Sequence, residues 1–453
     1  MTVSQAGGAG AAVRPAVLPP AGRAALRGGV VGNYVDQLHI FLPLVALAPA
    51  LKTVAGPHAA AGTGALVVMA MLIGRPIGGM VFGPIADRLG RTRTTRIAIA
   101  GTAACALGIA AMPTHQMIGG FSIAGILLLR FLGGVFIAGE YSAAIPLAME
   151  WSRPSQRGLV SGLIMSMAPW AQASIAFATA GLLVGLGPQA YADWGWRLAF
   201  VAGALGSLGM LLYYRRVRDA LEMGGGSPRH VGHCSAPGRR PDPLGDGGER
   251  GLRAVMFGAY AGHFWRLFAL MTGLWFLTQM TVIVLAGRVG PDTGIGATAA
   301  STVMGIAAVG QAAVMGLTGH LSTLTGRRRF FVLWGILSVV GAPLVWLWTL
   351  GQHTLLPIAA GAVLVQVLTV CGYGPIGAYL SEAFPAPVRS TGYGTAYSLS
   401  IVIPALYPFY LPTLEGVLGH QSAVMALIVL GGLLVAVSGG LGPAVSAREL
   451  RDG

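Results

Sequence analysis

One loop sequence is written twice in this chain. Gly83-Pro-Ile-Ala-Asp87-Arg88-Leu-Gly90-Arg91 lies between two long apolar runs, and 236 positions later Gly319-His-Leu-Ser-Thr323-Leu-Thr-Gly326-Arg327-Arg328 lies between two more. A second echo follows at an offset of 232: Glu150-Trp-Ser-Arg-Pro154-Ser-Gln-Arg157 corresponds to Glu382-Ala-Phe-Pro385-Ala-Pro-Val-Arg389. Both copies keep a Glu, a Pro and an Arg seven residues after the Glu. Self-similarity at so long a period requires two like units, each repeating the same order of apolar runs and charged loops.

The runs are too apolar for water. Hydrophobic residues make up 54% and charged residues 10% of 453 positions, whereas about a quarter of a soluble domain is charged. Stretches of about 20 apolar residues, enough to cross a bilayer, lie at roughly 28 to 50, 62 to 84, 94 to 112, 121 to 149, 158 to 186 and 196 to 214. A second six lie at roughly 267 to 287, 294 to 317, 329 to 350, 354 to 380, 391 to 414 and 421 to 443. The expected fold is an all-α membrane protein with twelve transmembrane helices in two pseudo-symmetric six-helix bundles. The expected division is a flexible tail 1–25, a first bundle 26–218, a linker 219–265, a second bundle 266–443 and a tail 444–453. The linker, with Gly224-Gly-Gly-Ser-Pro228 and Gly245-Asp-Gly-Gly248, is too polar and broken to pack a core.

Charge sets the expected orientation. With the amino terminus inside, 24 of the 29 Lys and Arg fall on the cytoplasmic side, leaving Lys52, Arg197 and Arg288 near the outer face and Arg75 and Arg130 within helices. Such asymmetry orients a membrane protein, and it predicts a multi-pass protein of the cell (inner) membrane with both termini cytoplasmic. The net charge of +14 is spread over inner loops, where it meets anionic headgroups, so no nucleic-acid partner is expected. The three cysteines suggest neither a disulfide framework nor a metal site, and no cofactor is expected. The sole lysine, Lys52, excludes a phosphate-cradling loop that ends in Gly-Lys-Ser/Thr. Neither HExxH nor Gly-x-Ser-x-Gly occurs, so an enzyme is not expected, and any energy must come from a gradient.

Four further stretches narrow the kinship: Gly32-Asn33-Tyr-Val-Asp36, Arg130-Phe-Leu-Gly-Gly134-Val-Phe-Ile-Ala-Gly139-Glu140-Tyr141, Trp194-Gly-Trp-Arg197 and Glu382 through Gly394. With the two loops they make the chain resemble the metabolite:proton symporter branch of the major facilitator superfamily. The resemblance implies the major facilitator fold, with two rocking halves around a central site. It departs at His39, where relatives usually carry a second acid, and at Thr323, where an Asp is typical.

An ionisable side chain at membrane depth needs a partner, a wet cavity or a function. Asp36, Arg75, Arg130 and Glu140 are the candidates, with His39 beside them. Ten residues of helix turn through about 1000°, leaving Arg130 and Glu140 about 80° apart in azimuth and about 15 Å apart in height, a spacing that suits one shared cavity. The resemblance implies that Asp36 carries the proton with Arg130 as its charge partner. Burial favours the neutral carboxyl and a guanidinium favours the ionised one, which makes such a pair a switch. The alternative is a permanent structural ion pair. Glu140 is a second candidate proton site and His39 a relay. Arg75, Arg130, Asn33, Tyr34, Gln279 and Tyr373 are the candidate substrate contacts.

At the loops, Asp87, Arg88, Arg91, Glu150 and Arg157 of one half and Arg327, Arg328, Glu382 and Arg389 of the other are expected to form a cytoplasmic gate of ion pairs. Glycine pairs at Gly74 and Gly78, Gly79 and Gly83, Gly158 and Gly162, and Gly181 and Gly185 are expected to serve helix packing. Two arginines against two acids give a near-neutral cavity that one added proton turns positive. The predicted function is therefore proton symport of a small organic anion such as a carboxylate by a monomer, with an exporting antiporter or a transporter-like sensor as alternatives.

Overall fold

The computed structural model describes residues 20–57, 61–223 and 251–443. The expected tail up to 19, linker positions 224 to 250 and the tail 444 to 453 lie outside the described residues. Among the described residues, twelve long helical segments follow in order, beside a few short helices: α1 Pro20–Val45, α2 Ala61–Leu89, α3 Arg91–Ala110, α4 Phe121–Trp151, α5 Pro154–Leu186 and α6 Trp196–Met223. In the second half, α7 runs Ala261–Thr278, through a π-helical turn Gln279–Val284 and on as Leu285–Thr293. Then come α8 Ala297–Thr325, α9 Arg327–Leu350, α10 Leu355–Val370 continued by Ile376–Ala383, α11 Arg389–Leu399 continued to Leu418, and α12 His420–Leu441.

Among the described residues, ten helices are long and apolar enough to cross a membrane, and α11 makes an eleventh as a pair bent by 45°. α3 spans 20 residues, but Arg91, Arg93 and Arg96 in its first two turns dilute its hydropathy. Three boundaries differ from expectation: α6 runs on to Met223, past the expected start of the linker at 219. α1 already begins at Pro20, inside the expected tail, and Leu252–Met256 and the start of α7 occupy the end of the expected linker.

The two halves repeat one packing plan. α4 packs against α1, α2 and α3, as α10 packs against α7, α8 and α9, while α6 packs on α1 and α3 as α12 does on α7 and α9. Large apolar side chains such as Leu128, Leu205, Leu333 and Leu344 point outward, each more than half exposed. That arrangement would be unstable in water and suits lipid. The duplicated loop has a backbone cause as well. Gly90 and Gly326, equivalent in the two repeats, have φ of 93° and 88°, a region open to glycine at little cost, and each turns the chain so that an arginine opens the next helix.

The halves meet along two equivalent seams, α2 on α11 and α5 on α8. Glycines permit both. A Cβ on Gly83 would lie 2.8 Å from Thr391 Cα, and one on Gly162 would lie 2.7 Å from the Met315 carbonyl oxygen. Of the glycine pairs expected to pack, Gly74 and Gly78 serve the α2–α4 contact within one half, and Gly181 and Gly185 have open space around them.

Candidate functional site

Asp36 of α1 and Glu140 of α4 lie close together in the first half, on the wall of one cavity. They are 2% and 3% exposed. Gly32, one turn before Asp36, makes the approach possible, because a Cβ there would lie 2.9 Å from Glu140 Oε1. A small cavity beside the pair is lined by Gly29, Asn33, Asp36, Glu140 and Tyr141. Asn33 Nδ2 donates to the Ile164 carbonyl at 2.5 Å, while Asn33 Oδ1 and Glu140 Oε1 are buried without a partner. Two buried carboxyls so close together disfavour two negative charges at once, which suits the pair to sharing a proton.

Next to this pair, Arg75 of α2 reaches across the seam. Its guanidinium carbon lies 5.2 Å from the ring centre of Tyr141, 5.3 Å from Trp275 and 5.5 Å from Tyr397. Tyr141 belongs to the first half and the other two rings to the second, so a cation of one half sits against aromatic faces of both. The rings support one another: Tyr397 stacks on Tyr141 and Tyr393, and Trp275 meets Tyr373 edge-on at 5.4 Å. The Trp275 indole N–H donates to the Tyr397 carbonyl at 3.2 Å. Tyr373 arrives because α10 breaks at Cys371–Tyr373 before Pro375, a residue that cannot donate a helix hydrogen bond. Nε and Nη2 of Arg75 and the hydroxyls of Tyr373 and Tyr393 are buried with no protein partner. So many orphaned polar atoms around one point call for water or a ligand.

The expected pairing of Asp36 with Arg130 is not what the structure shows. Arg130 Nη1 donates to the His39 carbonyl at 2.8 Å, and Nη2 approaches the Met71 sulfur. The cause is local: Pro43, four residues after His39, has no N–H to give that carbonyl, and Arg130 supplies the missing donor. Similar azimuth on α4 therefore does not bring Arg130 and Glu140 to one cavity; about 15 Å of helix rise separates them into two chambers. His39 turns away from Asp36, its Nε2 2.7 Å from Ser207 Oγ. Tyr34 donates to Ser174 of α5 at 2.8 Å and stands apart from the ring of aromatics, while Gln279 is buried in the π-helical turn of α7.

At the arginine-rich end the loops interlock. Asp87 accepts hydrogen bonds from the backbone N–H of Ser390 (3.0 Å) and Thr391 (2.8 Å) and from the Thr391 hydroxyl (2.7 Å). It thereby caps the first turn of α11 in the opposite half, where a negative charge is favoured. Glu150 is held by Arg91 of its own half and, at 2.5 Å, by Arg389 of the other. The repeat-equivalent pair Arg327–Glu382 is bidentate at 3.1 Å, with Ser322 and Thr323 accepting from Arg327 Nη1. Arg157 donates to the Ser152 carbonyl, and Arg389 to the equivalent Phe384 carbonyl. Three of the expected ion pairs are therefore present, whereas Asp87 and Arg157 bind backbone instead. Arg88 and Arg328 are exposed.

Tyr141, Trp275, Tyr393 and Tyr397 were missing from the sequence-derived candidates. Tyr141 directly follows Glu140, and Tyr393 with Tyr397 forms an i, i+4 aromatic pair, a spacing that puts two rings on one face. Nothing local marks Trp275.

Two six-helix bundles that enclose buried charge and orphaned donors at their junction form a membrane transporter rather than an enzyme. The profile of the Major Facilitator Superfamily matches residues 37–403, and the chain belongs to that family. It is 28% identical over 372 residues to the inner membrane metabolite transport protein YhjE of Escherichia coli, covering 80% of this chain and 81% of that protein. To the alpha-ketoglutarate permease of the same organism it is 26% identical over 368 residues, with 81% and 78% covered. Among solved structures, the proton:xylose symporter XylE bound to 6-bromo-6-deoxy-D-glucose superposes with a TM-score of 0.75 at 14% identity, covering 95% of this chain and 98% of that one.

Proposed function

We propose that this protein takes up a small carboxylate-bearing metabolite together with protons, by alternating access of its two halves across the inner membrane, with both termini cytoplasmic. The observation that carries this reading is Arg75. A buried guanidinium with two unpaired donor nitrogens between aromatic rings of both halves is shaped for a carboxylate, which accepts two parallel N–H bonds. Alpha-ketoglutarate, named for one relative, is a dicarboxylate.

The acids supply the coupling. With one proton shared by Asp36 and Glu140, the pair carries one negative charge and balances Arg75. A second proton leaves the site with a net positive charge and attracts an anion; departure of the substrate restores the balance only when that proton leaves too. The gate residues Asp87, Arg91, Glu150, Arg327, Glu382 and Arg389 hold the cytoplasmic end shut while the site faces outward.

The test is uptake into proteoliposomes of a radiolabelled dicarboxylate under an imposed pH gradient. Asp36→Asn and Glu140→Gln are expected to abolish gradient-driven accumulation while keeping exchange of labelled for unlabelled substrate. Accumulation at the wild-type level in both variants would refute the coupling role, and a substrate-driven proton flux outward would assign the protein to the exporters.

A further inference from the structure

Arg130 is 4% exposed in the first bundle, and no carboxylate pairs with it among the described residues. Its Nη1 and Nη2 are taken by the His39 carbonyl and the Met71 sulfur, while Nε has no partner. Beside it lies a small cavity walled by His39, Thr102, Cys105, Gly133, Phe200 and Arg130 itself. The Thr102 hydroxyl is spent on the Ala98 carbonyl and one nitrogen of His39 on Ser207. The remaining titratable side chains facing the guanidinium, an imidazole and a thiol, do not ordinarily bring a negative charge at neutral pH. A buried cation left without a counter-charge is strongly disfavoured, Glu140 lies about 15 Å along α4 from it, and Asp36 lines the other cavity with Glu140.

We propose that this cavity binds a monatomic anion, chloride in the first instance, as the counter-charge of Arg130, at a site distinct from the transport site. Nε–H of Arg130 is the principal donor and the Cys105 thiol a weaker one. Apolar walls from Ile109 and Ile137 and the small volume exclude a polyatomic substrate. Bound chloride ties α4 to α1 and α3 and so stabilises the first bundle.

The experiment is thermal unfolding of the purified full-length protein at fixed ionic strength, with methanesulfonate, which carries no carboxylate, replaced stepwise by chloride or bromide. Ligand binding to the native state raises Tm with concentration until the site saturates. A saturable rise of several degrees is expected for the wild type and for Asp36→Asn, whose lesion lies in the other chamber. Arg130→Gln, which removes the charge, and His39→Glu, which places a carboxylate in the cavity wall, are each expected to be insensitive to chloride. Should either variant fail to fold, the other still decides. Equal Tm in methanesulfonate and chloride for the wild type, or a wild-type chloride response in the folded variants, would overturn the site. Loss of the response in Asp36→Asn would move the anion to the transport chamber and refute the separate site.

Discussion

Arg75 shows how a single residue is defined by what surrounds it. From the sequence it is one arginine in an apolar helix; in the fold it meets three rings, two of them from residues more than 190 positions away along the chain. Its geometry predicts that Arg75→Lys keeps the charge but loses the planar fork. Charge-assisted hydrogen bonds contribute about 1.5 to 3 kcal/mol each, so KM for a carboxylate substrate should rise about tenfold or more, measured as initial uptake rates in proteoliposomes. Asp36 and Glu140 were recognisable in the sequence because charge is rare in a bilayer-spanning run. Their mutual contact was not, because it depends on Gly32 leaving room between two helices that the sequence does not place side by side.

At the scale of helices, the seams α2–α11 and α5–α8 consist of backbone against backbone. Substituting Gly162 with Ala would place a Cβ 2.7 Å from the Met315 carbonyl oxygen and 2.8 Å from that of Gly316, atoms that cannot move without shifting α8. Gly162→Ala should therefore prevent full closure of the arginine-rich end. The expected result is increased labelling, from that side, of a cysteine introduced at Ser390. Gly185→Ala, with nothing within 4 Å, should leave labelling unchanged. The four glycine pairs look alike in the sequence because spacing reports which glycines share a helix face, not which neighbour that face meets. Pro375 and Pro408 stand at the breaks in α10 and α11, whereas the π-helical turn in α7 has no such marker.

For the whole molecule, the proposed gate makes the interlocked loops the contacts that set the balance between conformations. Glu150 joins Arg91 to Arg389 across the halves, and partly exposed pairs of this kind are each worth about 1 kcal/mol or less. Glu150→Gln should thus shift the closed-to-open ratio of this end by up to about fivefold, read as a distance distribution between spin labels on α2 and α11. Wild-type populations in the variant would remove the gate role. The cap on α11 by Asp87 has no equivalent in the other seam, where Thr323 stands at the repeat position. Thr323→Asp should add a carboxylate facing the first turn of α5 and shift the same distribution toward the closed form.

Sequence alone determined the bilayer, the repeat, the twelve segments and the kinship, because a membrane imposes its demands locally: each crossing needs about 20 apolar residues whose backbone hydrogen bonds close within the helix. The same local logic identified the buried charges and the loop ion pairs. The tertiary structure decided which charge meets which. Helix rotation and depth placed Asp36 against Glu140 instead of Arg130, gave Arg130 the carbonyl that Pro43 leaves unpaired, and assembled the aromatic surroundings of Arg75 from both halves. Such contacts are set by differences of a few ångströms between helices packed side by side, and residue type and spacing along one helix do not encode them.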